Sequence, residues 1–330
     1  MSYTIAPLDL ERDRDDLIGL WSENFKDPRG SAVTSFGFSW FYERNPPTLV
    51  RTWVAFERES PPVVGCATAF RTHRYVEGQL VGAAVATAMA VTKKHRTLAA
   101  ALGLAKAVMA GSAEMGAGAL LSNPTQRALP ICVRVGYDAV GETQKWKLRL
   151  SSTSPAGCAA MPPADFELVD TADERFDRLW ERASRHHPVL GDKSSTFLNW
   201  HNAQLSLVDY QYFSLVNEQS REIWGYVGFY RNDAGAFITD ILAETRETSM
   251  LELLLHRFVQ WAQAQKLSWI GLKYFGTSHF EESLLHLGFV KKEEGGDPVV
   301  VHLSPNVSVQ AKAALLDKRQ WFGCGGDFGA

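Results

Sequence analysis

The sequence predicts an α+β protein of two similarly built halves, each a mixed, mostly antiparallel sheet flanked by helices. Three observations carry this. Runs with strand-like alternation are interleaved with runs of helical spacing. The order of those runs in residues 1–150 returns in residues 166–330. Between them, residues 151–165, "SSTSPAGCAAMPPAD", are rich in Ser, Pro, Ala and Gly without periodicity and read as a linker. At 330 residues, 45% of them hydrophobic, the chain can bury a substantial core and is longer than one domain usually runs.

Each element can be justified in order. Residues 8–25 have helical apolar spacing, and "FSWFYERNPP" ends on a double proline that stops any helix. "TWVAFERE", "PVVGCATAFRTHRYVEG" and "QLVGAAVATAMAV" read as three antiparallel strands joined at Ser60-Pro61-Pro62 and at Glu77-Gly78. A helix over residues 97–115 follows, then a buried strand "GALLSN" and a second helix over residues 125–135 closed by Gly136. "YDAVGETQKWKLRL" reads as a hairpin completing the first half. In the second half a helix over 173–184 precedes the strands "YQYFSLV", "EIWGYVGFY" and "GAFITDILA". A helix over 250–265, the strand "SWIGLKYF", a helix near Glu281 and the strand "PVVVHL" complete the repeat. The repeated order implies an internal duplication.

Charge and composition exclude several classes. A net charge of −3 supplies no basic face for nucleic acid. The N-terminus turns acidic without an apolar signal core, and no run approaches a membrane span, so a cytoplasmic protein is expected. Cys66, Cys132, Cys158 and Cys324 lie far apart with no CxxC pair, which suggests free thiols and neither a disulfide framework nor a metal site.

The stretch "VTKKHRTLAAALGLAKAVMA" leads from a strand through a basic turn into an alanine-rich helix. A helix N-terminus offers unpaired N–H groups and a partial positive charge to an anion. Ala99, Ala100 and Ala101 are small enough to let a diphosphate approach the backbone, and Lys93, Lys94 and Arg96 can add charge-assisted bonds. The same alanines also suit an ordinary helix packed closely on a sheet. Further on, "NPTQRALPICVRVGY" places Thr125, Ala128 and Cys132 at regular intervals before Gly136-Tyr137.

On these residues the chain resembles the GNAT acyltransferases. The resemblance implies two tandem GNAT-like domains, with residues 1–150 the acyl-CoA-binding half, 151–165 the linker and 166–330 a degenerate copy. In that family a turn resembling Arg-x-x-Gly-x-Gly or Ala holds the pyrophosphate of acyl-CoA; Val91, Arg96, Ala99 and Ala101 fall at those positions. The resemblance thus implies a co-substrate site of Met89, Ala90, Val91, Arg96, Thr97, Leu98, Ala99, Ala100, Ala101, Thr125 and Ala128, with backbone N–H near Met89 and Ala90 polarising the thioester. Cys132 takes the place of the family's tyrosine, the acid for the leaving thiolate. A thiol can donate a proton to a thiolate of similar basicity, and an isolated cysteine is also a common small core residue.

The second half lacks the cradle: Glu244 and Glu247 would repel a diphosphate, and Leu284 holds the tyrosine position. For the base that deprotonates the acceptor the sequence offers Glu43, Asp240, His73 and His201, with Glu43 the first choice because its loop usually receives the acceptor in this fold. Trp40 and Trp200 can stack on a sugar or serve the core. "FGFSWFYERNPPT", "STFLNWHNAQLSLVDYQYFSLV" and the tail "WFGCGGDFGA" are similar to bacterial tandem GNAT proteins associated with surface-polysaccharide synthesis, although Asn199-Trp200-His201-Asn202 stands where related chains have Asn-Trp-Arg-Tyr. The expected activity is transfer of an acetyl or other acyl group from acyl-CoA to a small-molecule amine, an amino sugar among the candidates, by a monomer or homodimer without a metal. The alternatives are an antibiotic-modifying enzyme, a Fem-type aminoacyl or peptidyl transferase, and a non-catalytic acyl-CoA-binding module.

Overall fold

The computed structural model describes residues 2–25, 37–43, 50–58, 60–150, 164–203, 209–232, 234–245, 248–293 and 296–328. The double proline at 46–47 and nearly all of the expected linker lie outside them. Strand β1 (Tyr3–Pro7) pairs antiparallel with β2 (Val50–Glu57). Five residues without alternation are too short for a pattern to register, so β1 is absent from the sequence expectation. Helix α1 (Leu10–Asn24) begins where the Asp9 carboxylate accepts the N–H groups of Glu11 and Arg12 at 3.0 and 3.2 Å, and it turns Leu17, Leu20 and Trp21 inward.

Strands β2, β3 (Ser60–Val76) and β4 (Gln79–Val91) form a meander. Its second turn is the expected Glu77-Gly78, at φ +50° and +74°, the left-handed pair that a two-residue hairpin requires. Strand β3 starts at Ser60, so the first connection is shorter than the proline-based expectation. Helix α2 (Leu98–Glu114) leads to β5 (Ala119–Ser122), parallel to β4. Helix α3 (Leu129–Val135) starts four residues later than expected, with a proline in its first turn where no intrahelical N–H is needed, and closes on Gly136 at φ +104°.

The next two strands depart from expectation. β6 (Asp138–Glu142) and β7 (Gln144–Arg149) do not form a hairpin with each other. β7 crosses to the second half and pairs antiparallel with β13 (Trp269–Gly276) and β14 (Val290–Lys291). In return β15 (Pro298–Leu303) enters the first half between β5 and β6. Each half therefore completes its sheet with the other's strand. Alternation predicts a strand but not its partner, and a one-residue connection at Thr143 does not let adjacent strands fold back on each other.

The second half otherwise repeats the pairing of the first. β8 (Ala164–Val169), helix α4 (Glu174–Ala183), β9 (Val189–Gly191) and helix α5 (Ser195–Ala203) precede the meander β10 (Asp209–Asn217), β11 (Ile223–Arg231) and β12 (Gly235–Ala243). Helix α6 (Thr248–Ala264) then crosses to β13, parallel to β12, and α7 (Ser278–His286) leads to β14. After β15 come α8 (Val309–Leu316), β16 (Trp321–Cys324) and a 3₁₀ turn over Gly325–Phe328. β9 pairs with the end of β3 and with β16, and β16 with β13, which joins both halves into one sheet.

The core divides into three apolar clusters. One fills the second half around Phe176, Tyr212, Phe229 and Phe258. A second spans the junction through Trp40, Phe70, Trp200, Trp321 and Phe328, and a third lies under α2 with Trp53, Leu104, Val108, Tyr137 and Val300. Trp40 and Trp200 stack at 4.7 Å with their planes 13° apart, and the Trp40 indole N–H donates to the Trp200 carbonyl at 2.7 Å. Both are buried, so they staple the halves together and offer no sugar-stacking surface. Among the described residues no helix is long and apolar enough to cross a membrane, and no group of three metal-ligating side chains converges.

Candidate active site

The site begins with a fault in a strand. The β3–β4 register shifts between Cys66 and Thr68, so Ala88 and Met89 on β4 face a single residue of β3. Ala88 sits at φ +49°, unusual for a residue with a Cβ. The Cys66 thiol donates to the Ala88 carbonyl at 3.4 Å and accepts the Trp21 indole N–H at 3.3 Å, which ties the bulge to α1. Burial pushes that thiol up to about 12. β5 pairs with β4 only through Ala83–Ala86, so from Thr87 to Val91 that edge of β4 has no strand beside it. The two strands splay apart there.

Helix α2 points its N-terminus at the splay. Thr97 caps it, its hydroxyl accepting the Ala100 N–H at 3.4 Å, and the N–H groups of Leu98 and Ala99 have no intrahelical acceptor. A cavity of about 470 Å³ opens against this end. It is lined by Met89, Ala90 and Val91 of β4, by Arg96, Thr97, Leu98 and Ala101 at the turn and helix start, and by Thr125, Arg127, Ala128 and Ile131 across from them. Nine of the eleven co-substrate residues expected from the sequence line this cavity. The other two, Ala99 and Ala100, do not: Ala99 faces solvent and Ala100 is fully buried under the helix. Arg96 lies across the mouth, donating to the Val91 carbonyl at 3.2 Å and to the Asn24 side chain at 2.9 Å.

A second cavity, of about 390 Å³, shares Met89, Thr125 and Ala128 with the first. It runs through the splay. Ala67, Val108, Cys132 and Tyr137 line it from the α2 side, whereas Ala88 and Phe328 belong to the junction cluster on the opposite face. Thr68 also lines it and begins a chain of hydroxyls, 2.8 Å to Thr52 and from there 2.6 Å to Tyr42. Cys132 lines the second cavity together with Thr125 and Ala128, which the two cavities share. Burial raises its thiol to about 11, and raises the neighbouring Tyr137 hydroxyl well above its ordinary value. Both stay protonated near neutrality, and full proton transfer from Cys132 to a thiolate of ordinary basicity runs uphill.

The sequence assigns the second half a role in shaping the acceptor pocket but names none of the residues that do so. Lys273 from β13, with Gly325 and Phe328 from the C-terminal turn, closes the second cavity. No spacing in the first half could point to them, because strand exchange is what brings them there. The turn is held by buried charge. The Lys193 ammonium donates to Asp240 at 2.6 Å and to Asp327 at 2.8 Å, the Tyr226 hydroxyl donates to Asp240 at 2.7 Å, and Arg74 donates to the Asp327 carbonyl at 2.6 Å. The two carboxylates hold the Lys193 ammonium above its ordinary value despite burial.

The expected bases lie elsewhere. Glu43 is half exposed and pairs with Arg14 at 3.2 Å; it lines neither cavity. His73 approaches Asp192 at 3.4 Å, Asp240 is taken by Lys193, and burial lowers His201 to about 4 so that it is neutral near pH 7. Glu244 bonds Arg182 at 3.2 Å, Glu247 lies outside the described residues, and Leu284 is sealed in the core.

Neither a family model nor a curated protein matches the chain in sequence. Solved structures do match it in three dimensions. A GCN5-related N-acetyltransferase from Anabaena variabilis superposes over 92% of this chain and 73% of its own, with a TM-score of 0.68 and 14% identity. The chain has the GNAT fold. A protein of unknown function from Enterococcus faecalis, described as a probable N-acyltransferase, gives 0.68 at 12% identity over 92% of this chain and 73% of that one. Eis1 from Mycobacterium abscessus gives 0.62 at 16% identity over 95% and 75%.

Proposed function

We propose that the protein is an N-acyltransferase that moves an acetyl or other acyl group from acyl-CoA to an amine, an amino sugar being the first acceptor class to test. The single observation that carries the reading is the cavity at the α2 N-terminus, which gathers the GNAT-like turn, the splayed β4 edge, Thr125 and Ala128 around one space. In this proposal the diphosphate accepts the N–H groups at the start of α2, with Arg96 and Arg127 adding charge-assisted bonds. The pantetheine pairs along the open edge of β4, and the thioester lies where the cavities meet, its carbonyl oxygen on N–H groups near Met89 and Ala90. The amine enters from the opposite face through the second cavity. Its nitrogen forms the new bond to the carbonyl carbon as the carbon–sulfur bond breaks, and Cys132 donates a hydrogen bond to the departing sulfur. No Asp, Glu or His among the described residues lines either cavity, so the amine proton leaves to water. Glu43 has no part in this scheme because Arg14 holds it away.

The same lining favours a second reading, an acyl-CoA-binding module without turnover, because no base and only a weak acid reach the junction. Titration calorimetry with CoA and acetyl-CoA tests what the two readings share. Micromolar binding is expected for the wild type, with at least a tenfold loss in Ala101→Glu, which puts a carboxylate on the cavity wall, and retention in Ala101→Ser. Equal binding by all three proteins, or no binding by the wild type, refutes the placement. Release of CoA thiol in the presence of an amine then separates enzyme from binding module.

A further inference from the structure

We propose that Lys273 selects acceptors that carry an anionic oxygen, a carboxylate or a phosphate, near the reacting amine. This rests on the acyltransferase reading above and names the acceptor class of that site. Lys273 is the one charged residue among the described residues lining the second cavity, whose other walls are Thr, Ala, Val, Met, Cys, Tyr and Phe side chains and a few small polar groups. Its side chain is 18% exposed, so the ammonium is partly desolvated.

Two of its three donors are committed. One meets the Asn123 side-chain oxygen at 3.0 Å and another the Asp297 carboxylate. Both partners are themselves fixed: the Asn123 amide donates to the Pro298 carbonyl at 2.6 Å, and the Asp297 backbone N–H donates to the Thr143 hydroxyl at 3.0 Å. These two bonds leave the ammonium one further N–H, and both Lys273 and its partner Asn123 line the cavity. An ammonium held in this way is a ready donor to an anionic oxygen. A polycationic amine would meet like charge and find no carboxylate on the wall.

The test uses the full chain loaded with CoA, so that the first cavity is filled and no turnover is needed. Two matched pairs are titrated: glucosamine 6-phosphate against glucosamine, and alanine against alaninamide. One charge-assisted hydrogen bond corresponds to about a tenfold or greater preference for the anionic member. The expectation is such a preference in at least one pair, lost in Lys273→Met and kept in Lys273→Arg, with CoA affinity unchanged in both variants and both still folded. The responding pair tells phosphate from carboxylate. Equal binding within both pairs, or a preference that survives in Lys273→Met, overturns the proposal while CoA binding leaves the underlying reading standing. Failure of the wild type to bind CoA overturns both.

Discussion

Replacing Lys193 by Met removes the cation shared by Asp240 and Asp327, whose side chains are 6% and 2% exposed. Tyr226 and the Cys324 N–H still donate to the carboxylates and the buried Arg74 guanidinium still acts on Asp327, but Asp240 stays buried without a counter-charge in contact. Breaking a buried pair from one side costs about 3–5 kcal/mol. A chain of 330 residues unfolding as one unit has an entropy near 0.7 kcal/mol/K, so the melting temperature at neutral pH should fall by about 4–7 °C. The sign with pH is fixed. In the wild type the folded Lys193 lies above its ordinary value, so its contribution is intact through the neutral range and is lost only at strongly alkaline pH. In the variant the burial that already raises the Asp240 carboxylate above its ordinary value acts without the opposing Lys193 charge, so the deficit grows as pH rises past the carboxylate range and shrinks toward acid. Thermal melts at about pH 5 and about pH 8 should show the wider gap at pH 8, and adding Asp240→Asn and Asp327→Asn to Lys193→Met should recover part of it. A gap under about 1 °C at pH 8, or one that widens toward acid, would refute the claim that charge pairing holds the C-terminal turn.

Two further variants probe the first half. Cys132→Ala should lower turnover less than tenfold and leave CoA affinity unchanged, because a thiol near 11 assists by hydrogen bonding only; steady-state kinetics showing a loss of about 10²–10⁴ would make it a general acid instead. Gly111→Ala should destabilise by about 2 kcal/mol, since its Cβ would lie 1.8 Å from the Trp53 ring and overpacking outweighs the helix propensity gained. Its melting temperature should drop by about 3 °C and recover when Trp53→Leu is added; an unchanged melt means that α2 does not press on β2 as described.

The legible parts of the sequence were those written in local pattern. β12 and β15 run over the residues that alternation marks, and Thr97, Gly78 and Gly136 stand where cap and turn chemistry puts them. Most of the residues lining the cavity at α2 were marked in the sequence because they fall in two short stretches, 89–101 and 125–131. What escaped was set by distance along the chain. The Trp40–Trp200 stack joins residues 160 apart, and Lys273 reaches its cavity through a sheet order that alternation cannot encode. In the sequence Cys66 is only one of four separated cysteines read as free thiols, yet its bond to the Ala88 carbonyl steadies a bulge that no propensity predicts.

The exchange of β7 and β15 also bears on how the two halves can change over generations. Each half lends the other the strand that closes its sheet, so a mutation in a donated strand also bears on the fold of the half that receives it. The second half carries glutamate at its own cradle position and a sealed leucine where the acid would stand, yet it cannot be discarded. Without β15 the first half would present an open slot between β5 and β6, directly beside the splay. Such interdependence makes loss of either half more damaging than drift within it, since each would be kept for the strand it donates.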